Sequence, residues 1–212
     1  MKIGLLFDLD GTLLDTLGDL RNSVNVALAS FGYPQRTLAE IRSFVGTGAR
    51  NLSRLSMPAG ADNVDEVLAA FQAHYKDHCN IETGPYDGIP AALEALQDIP
   101  MAIVSNKPDY AVKELAATYF PGLYALGEVA GTPRKPAPDM LYKAMADIGV
   151  DTCIYIGDSE VDVTTAHGAG LPCLSVTWGF RDEDQIRAAG GTHFCHCPAD
   201  LPDALRRMIQ AL

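Results

Sequence analysis

Unbroken apolar runs and stripes of helical period divide this chain into elements. Ile3, Gly4, Leu5, Leu6 and Phe7 form a continuous apolar run, as expected of a strand buried on both faces of a parallel sheet. Leu17, Leu20, Val24, Leu28 and Phe31 then recur at helical spacing behind Asp15-Thr16, a capping pair, and this helix ends near Gly32. Thr37-Leu38-Ala39-Glu40 reads as a capping box that opens a second, shorter helix. A Gly46-Thr47-Gly48 turn leads to a third over Ala49–Leu55. From Asn63 onward Val64, Val67, Leu68, Phe71, Tyr75 and His78 trace one face of a fourth. No strand pattern interrupts this stretch, so it predicts an all-helical insertion and not a simple crossover.

After Gly84-Pro85-Tyr86-Asp87-Gly88 the pattern changes to short apolar runs separated by helical stripes. Strands are predicted over Met101–Val104, Leu123–Leu126, Cys153–Ile156, Cys173–Val176 and His193–Cys195, with helices over 88–97, 108–118, 138–148, 160–168, 182–189 and 199–211. That alternation predicts an α/β fold, a Rossmann-like doubly wound parallel sheet. Two domains share the chain: a core of residues 1–14 and 81–212, and a helical cap of residues 15–80.

Composition narrows the partners. The 212 residues are 48% hydrophobic, enough for a full core. A formal charge of −11 opposes nonspecific attraction to nucleic acid or to an anionic membrane, so neither is expected as a partner. An anionic ligand must instead be held by a few local cations and a metal. The apolar run after Met1-Lys2 stops at Asp8, short of the ~7–15 residues of a signal-peptide core, and no segment reaches transmembrane length. Cys79, Cys153, Cys173, Cys195 and Cys197 are an odd set without framework spacing, read as reduced thiols of a cytoplasmic protein. His193, Cys195, His196 and Cys197 lack the spacing of a chelating turn and read as an edge strand and loop. Trp178-Gly179, His74 and His78 read as packing or surface positions. The pattern allows a monomer or a homodimer.

Ligand crevices of open α/β sheets lie at the carboxyl ends of the strands. The first strand ends in Asp8-Leu9-Asp10, whose period of two puts both carboxylates on one side. Taken alone, each can be a nucleophile, a metal ligand or a turn cap. The second strand runs into Ser105-Asn106, the loop after the third holds Lys135-Pro136, and the fourth delivers Gly157-Asp158-Ser159 and then Asp162. A hydroxyl, a lysine and several carboxylates around an Asp pair suit phosphoryl transfer with a divalent cation that prefers oxygen.

Four segments carry a family resemblance. Asp8-Leu9-Asp10-Gly11-Thr12-Leu13-Leu14-Asp15-Thr16, Val104-Ser105-Asn106-Lys107-Pro108, Gly131-Thr132-Pro133-Arg134-Lys135-Pro136-Ala137-Pro138 and Ile156-Gly157-Asp158-Ser159-Glu160-Val161-Asp162 resemble, in order, the four motifs of the haloacid dehalogenase-like hydrolase superfamily, most closely its phosphoglycolate phosphatase-like branch. The resemblance implies a phosphatase of small anionic phosphorylated metabolites, with Asp8 as nucleophile and Asp10 as general acid and base. It implies Mg²⁺ held by Asp8, Asp158 and the backbone carbonyl of Asp10. Lys135 supplies a further positive charge, needed because a carboxylate ~4 Å from a phosphate faces roughly 4 kcal/mol of repulsion per charge pair at an effective dielectric near 20. Ser105, the Asn106 amide and Thr12 are implied to contact the substrate, and Asp162 to orient Lys135 or a metal-bound water. The cap turn with Gly48 and Arg50 is similar to that branch's substrate-facing loop, and Arg50 is expected to grip a second anionic group. Alternatives on the same fold are a sugar-phosphate mutase, a pyrophosphatase and a dehalogenase. A phosphoacceptor signalling domain uses a similar residue set but needs no helical insertion.

Overall fold

Leu5, Leu6 and Phe7 are wholly shielded from solvent, as a strand covered on both faces must be. The computed structural model describes residues 1–212. Its elements run β1 (Ile3–Phe7), β2 (Leu14–Asp15), α1 (Leu17–Ser30), α2 (Leu38–Phe44), α3 (Ala49–Ser56), α4 (Val64–His78), β3 (Gly84–Pro85), α5 (Ile89–Glu94) and β4 (Met101–Pro108). They continue with α6 (Asp109–Tyr119), β5 (Tyr124–Glu128), α7 (Asp139–Ile148), β6 (Thr152–Gly157), α8 (Glu160–Ala169), β7 (Cys173–Val176), α9 (Glu183–Ala188), β8 (His193–Cys195) and α10 (Leu201–Gln210).

Six strands form one parallel sheet in the order β5-β4-β1-β6-β7-β8. The pleat divides the core: Phe7, Ile103, Ile154 and Ile156 join the apolar cluster that includes Leu96, Leu115 and Leu205, whereas Leu6, Val104 and Tyr155 join Met140, Leu141 and Val163. Helices therefore cover both faces. Leu5 pairs with Met101 on one side and with Ile154 on the other, so the carboxyl ends of β1, β4 and β6 lie side by side.

Helices α1 to α4 pack on one another, with α1 against α4 as the main contact. Their buried positions, among them Val24, Leu28, Val67 and Phe71, are continuous with the larger core cluster. The Thr37 capping box forms as its spacing predicts: Thr37 Oγ1 accepts from the Glu40 amide at 3.3 Å, and Glu40 Oε2 accepts from the Thr37 amide at 2.8 Å. At α1 the expectation is only half met. Asp15 Oδ1 accepts from the Leu17 amide at 3.2 Å, but the Thr16 hydroxyl turns away to Asp10.

Two further differences bear on the site. Leu14–Asp15 and Gly84–Pro85 pair as a short antiparallel ribbon where the chain enters and leaves the helical layer, a pairing too short to leave an alternating pattern. Close to it the buried Asp19 carboxylate accepts from the amides of Ile81, Glu82 and Thr83 at 2.9–3.0 Å and from the Thr83 hydroxyl at 2.7 Å. Strand β4 also continues beyond Val104 to Pro108, with a register irregularity in between. Ser105, Asn106 and Lys107 are thus held by the sheet itself. No helix is long and apolar enough to cross a membrane.

Candidate active site

Asp8 lies immediately beyond β1, its amide donating to the Ile156 carbonyl at 2.8 Å. Its Oδ1 accepts from the Leu9 amide at 2.8 Å and from Lys135 Nζ at 3.0 Å, and its other oxygen makes no protein hydrogen bond. Burial pushes this carboxyl up to about 7, against the pull of Lys135 and with the charges of Asp162 and Asp10 adding to the rise. Asp158 follows β6 and is buried: Oδ1 accepts from the Thr12 hydroxyl at 3.3 Å and Oδ2 from the Phe180 amide at 2.7 Å. Burial, then the charges of Asp162 and Asp8, push its carboxyl well above the usual range.

Space for Asp158 depends on glycine. A Cβ on Gly11, whose φ is +81°, would lie 2.3 Å from Asp158 Oδ2, and one on Gly179 would lie 2.4 Å from Asp158 Cβ. Trp178 adds a hydrogen bond from Nε1 to the Thr12 carbonyl at 3.0 Å. The Trp178-Gly179 pair, expected only to pack, therefore shapes the wall behind Asp158.

Lys135 is the most enclosed cation. Its ammonium reaches Asp8 Oδ1 at 3.0 Å, Asp162 Oδ1 at 2.9 Å and the Tyr155 hydroxyl at 2.7 Å. Burial alone would favour its neutral form, but Asp162 and Asp8 outweigh it and hold the ammonium charged. Asp162 is spent in doing so: Oδ1 also accepts from Tyr155 at 3.0 Å, and Oδ2 accepts from the Ser159 amide and hydroxyl at 3.1 and 2.7 Å. Asp8, Asp158 and Asp162 bring carboxylate oxygens within 4.8 Å of one another. Asp162, saturated with donors, serves Lys135 and the start of α8, and Asp8 and Asp158 remain to face a ligand.

Asp10 stands opposite, its Oδ1 accepting from Thr16 Oγ1 at 2.6 Å and from Lys107 Nζ at 2.7 Å. Ser105 borders the same cavity, and its own O–H meets no protein acceptor. The Asn106 side chain braces two loops: Nδ2 donates to the carbonyls of Gly46 and Lys135 at 3.0 and 2.9 Å, and Oδ1 accepts from the Lys135 amide at 2.9 Å.

The helical layer roofs these groups. Leu20, Val45, Gly46, Gly48, Ala49, Leu52, Phe71 and Tyr75 face Asp8, Asp10, Ser105, Asn106, Lys107 and Asp158 across a cavity of about 40 Å³. Arg181 Nη1 donates to the Arg42 carbonyl and Nη2 to the Val45 carbonyl, both at 2.7 Å, and Nε meets Glu160 at 3.1 Å.

Most of the expected site residues converge, and two do not. Arg50 turns to Asp65 on the surface of the helical layer, half exposed, and is absent from the cavity wall. Its place at the second position of α3 points it along that helix's outer face. Thr12 donates to Asp158 and is absent from the cavity wall. Lys107, Arg42 and Arg181 had no expected part. Lys107 sits inside the second motif, but its partner Asp10 is far away in the chain.

The model of the haloacid dehalogenase-like hydrolase family matches residues 5–176. A phosphoglycolate phosphatase of Cereibacter sphaeroides is 34% identical, with the match covering 97% of this chain and 99% of that protein. A phosphoglycolate phosphatase of Rhodobacter capsulatus is 36% identical over 85% of this chain and 87% of its own. Among solved structures, a candidate phosphoglycolate phosphatase of Lactobacillus delbrueckii subsp. bulgaricus superposes with a TM-score of 0.89 at 34% identity, covering 95% of this chain and 97% of that one. Together with the four strand-end motifs, these matches establish that the chain belongs to the haloacid dehalogenase-like hydrolase family, as an enzyme of its phosphoglycolate phosphatase-like branch.

Proposed function

We propose that the protein is a Mg²⁺-dependent phosphatase of small phosphorylated metabolites, with phosphoglycolate the best-supported substrate and the cytoplasm its place of action. One observation carries the reading: an Asp8 oxygen free of protein donors lies at the cavity floor, beside Lys135 and Asp158. The relatives named phosphoglycolate phosphatase support the substrate.

The donor set fits Mg²⁺. Asp8, Asp10, Asp158 and Asp162 bring four carboxylates against the ammonium groups of Lys135 and Lys107, which leaves two negative charges for a divalent cation to balance. Asp8, Asp158 and the Asp10 carbonyl would hold it, and it would supply Lewis-acid neutralisation of the phosphoryl charge.

Asp8 attacks phosphorus, and the leaving-group bond breaks as an aspartyl-phosphate forms. Asp10 gives a proton to the departing oxygen and then takes one from the water that cleaves the acyl phosphate. Lys135 balances charge at Asp8 throughout, and Ser105 and the Asn106 amide bind phosphoryl oxygens. Residues 15–80 act as a cap over a core of residues 1–14 and 81–212, excluding bulk water while Asp8 reacts.

A panel of phosphorylated metabolites assayed with and without Mg²⁺ tests the reading. Mg²⁺-dependent release of phosphate, strongest on short acidic esters, is expected. Equal turnover in metal-free protein would overturn it.

A further inference from the structure

Lys107 has more hydrogen-bonding capacity than the fold uses. Its side chain is only 2% exposed, yet of three ammonium donors one alone finds a protein acceptor, Asp10 Oδ1 at 2.7 Å. The Tyr75 ring from α4 covers it, 4.9 Å from Nζ to the ring centroid, and Lys107 borders the cavity. Sheltering from water strengthens any further pairing this cation makes.

The other nearby cations are committed. Lys135 has three partners, Arg181 bonds to three main-chain carbonyls and to Glu160, Arg134 pairs with Glu128 and Arg50 with Asp65. Lys107 is left as the buried cation on the cavity wall with donors to give. Its position also matters. If Asp10 protonates the leaving oxygen, then the atoms just beyond that oxygen pass beside the lysine bonded to Asp10.

We propose that Lys107 is the specificity residue of this site, binding the carboxylate of a short phosphorylated hydroxy acid while its phosphoryl group lies on Asp8. This rests on the phosphatase reading above. It moves recognition of the substrate's second charge from the glycine turn of the helical layer to a core strand, next to the general acid.

Two esters of matched size separate this from a purely positioning part played through Asp10. Phosphoglycolate ends in a carboxylate and 2-hydroxyethyl phosphate in a neutral hydroxymethyl group. In Lys107→Met the ratio of their kcat/KM values should fall about ten- to a hundredfold, the size of one charged hydrogen bond. Lys107→Gln, which keeps donors but no charge, should lie between Lys107→Met and the wild type, and Lys107→Arg should restore much of the ratio. An unchanged ratio in Lys107→Met and Lys107→Gln, with both esters slowed alike, overturns the proposal and leaves the phosphatase reading standing. A wild type that turns over neither ester with Mg²⁺ overturns both.

Discussion

Arg42 and Arg181 reach across the same boundary in opposite directions. Arg42 on α2 donates from Nε to the Phe180 carbonyl at 2.7 Å, and Arg181 donates from Nη1 to the Arg42 carbonyl at the same distance. Phe180 in turn gives its amide to Asp158. Docking of the helical layer is thereby tied to the position of a carboxylate at the reaction centre.

Arg181→Met removes the donors from the Arg42 and Val45 carbonyls. The cost should be about 1–3 kcal/mol, which lowers Tm by roughly 2–4 °C per kcal/mol for a chain of this size. KM for phosphoglycolate should rise severalfold as the roof loosens. Thermal unfolding and steady-state kinetics check both, and an unaltered Tm and KM would remove the latch from the account.

Asp8→Asn deletes the nucleophile while keeping its shape, so phosphate release should drop by at least about a thousandfold on every ester. The fold should persist, because Lys135 retains Asp162 and Tyr155. A variant that keeps more than a small fraction of wild-type turnover would sink the assignment of Asp8.

Without metal, the protein should lose stability as pH rises. Burial pushes the folded-state carboxyl of Asp8 up to about 7, above the ordinary carboxylate range, so between the two the folded chain binds more protons than the unfolded one. Unfolding free energy then falls with pH, by up to ~1.4 kcal/mol per unit for one proton. The raised Asp158 acts in the same direction. Tm of the metal-free wild type should decline from pH 5 to 7, and Asp8→Asn should flatten the decline. A Tm that climbs over this range would contradict the burial argument.

Chelation by EDTA should abolish turnover and Mg²⁺ should restore it, while Ca²⁺ should inhibit because it takes more ligands at longer distances. Mg²⁺ should also stabilise the fold by about 2.7 kcal/mol at a hundredfold excess over its Kd, and so raise Tm. Differential scanning with and without each ion reads this independently of catalysis.

Arg50→Ala should be nearly silent. An exposed pair such as Arg50 with Asp65 contributes about 0–1 kcal/mol, and kcat/KM for phosphoglycolate should stay within about twofold. A tenfold loss confined to phosphoglycolate would return Arg50 to the cavity.

What was legible in the sequence is what local pattern encodes. Apolar runs placed β1, β6 and β7 closely, and the motifs at the ends of β1, β4 and β6 and after β5 bring Asp8, Asp10, Ser105, Asp158 and Lys135 close together. What depends on distant partners left no trace. Lys107 meets Asp10 across 97 positions, and Arg181 meets Arg42 across 139. Arg50 shows the converse: a cation beside a glycine turn is legible as a ligand-gripping group, and the structure pairs it with Asp65, the second residue of α4. The two-residue ribbon β2–β3 is too short for any periodicity to announce it.

Asp19 gathers the amides of residues 81–83 to the first turn of α1, so both chain passages between the layers share one anchor. The two passages cannot part without breaking that carboxylate's hydrogen bonds, and the Arg42 and Arg181 contacts hold the layer at a second place. The turn around Gly60, between α3 and α4, has open space around it, since an added Cβ would meet nothing within 4 Å, and is a graft point. Added length there meets open space, although Gly60 itself, with a φ of +86°, is best kept, and epitopes or reporter loops inserted beside it should ride on the enzyme without reaching its chemistry.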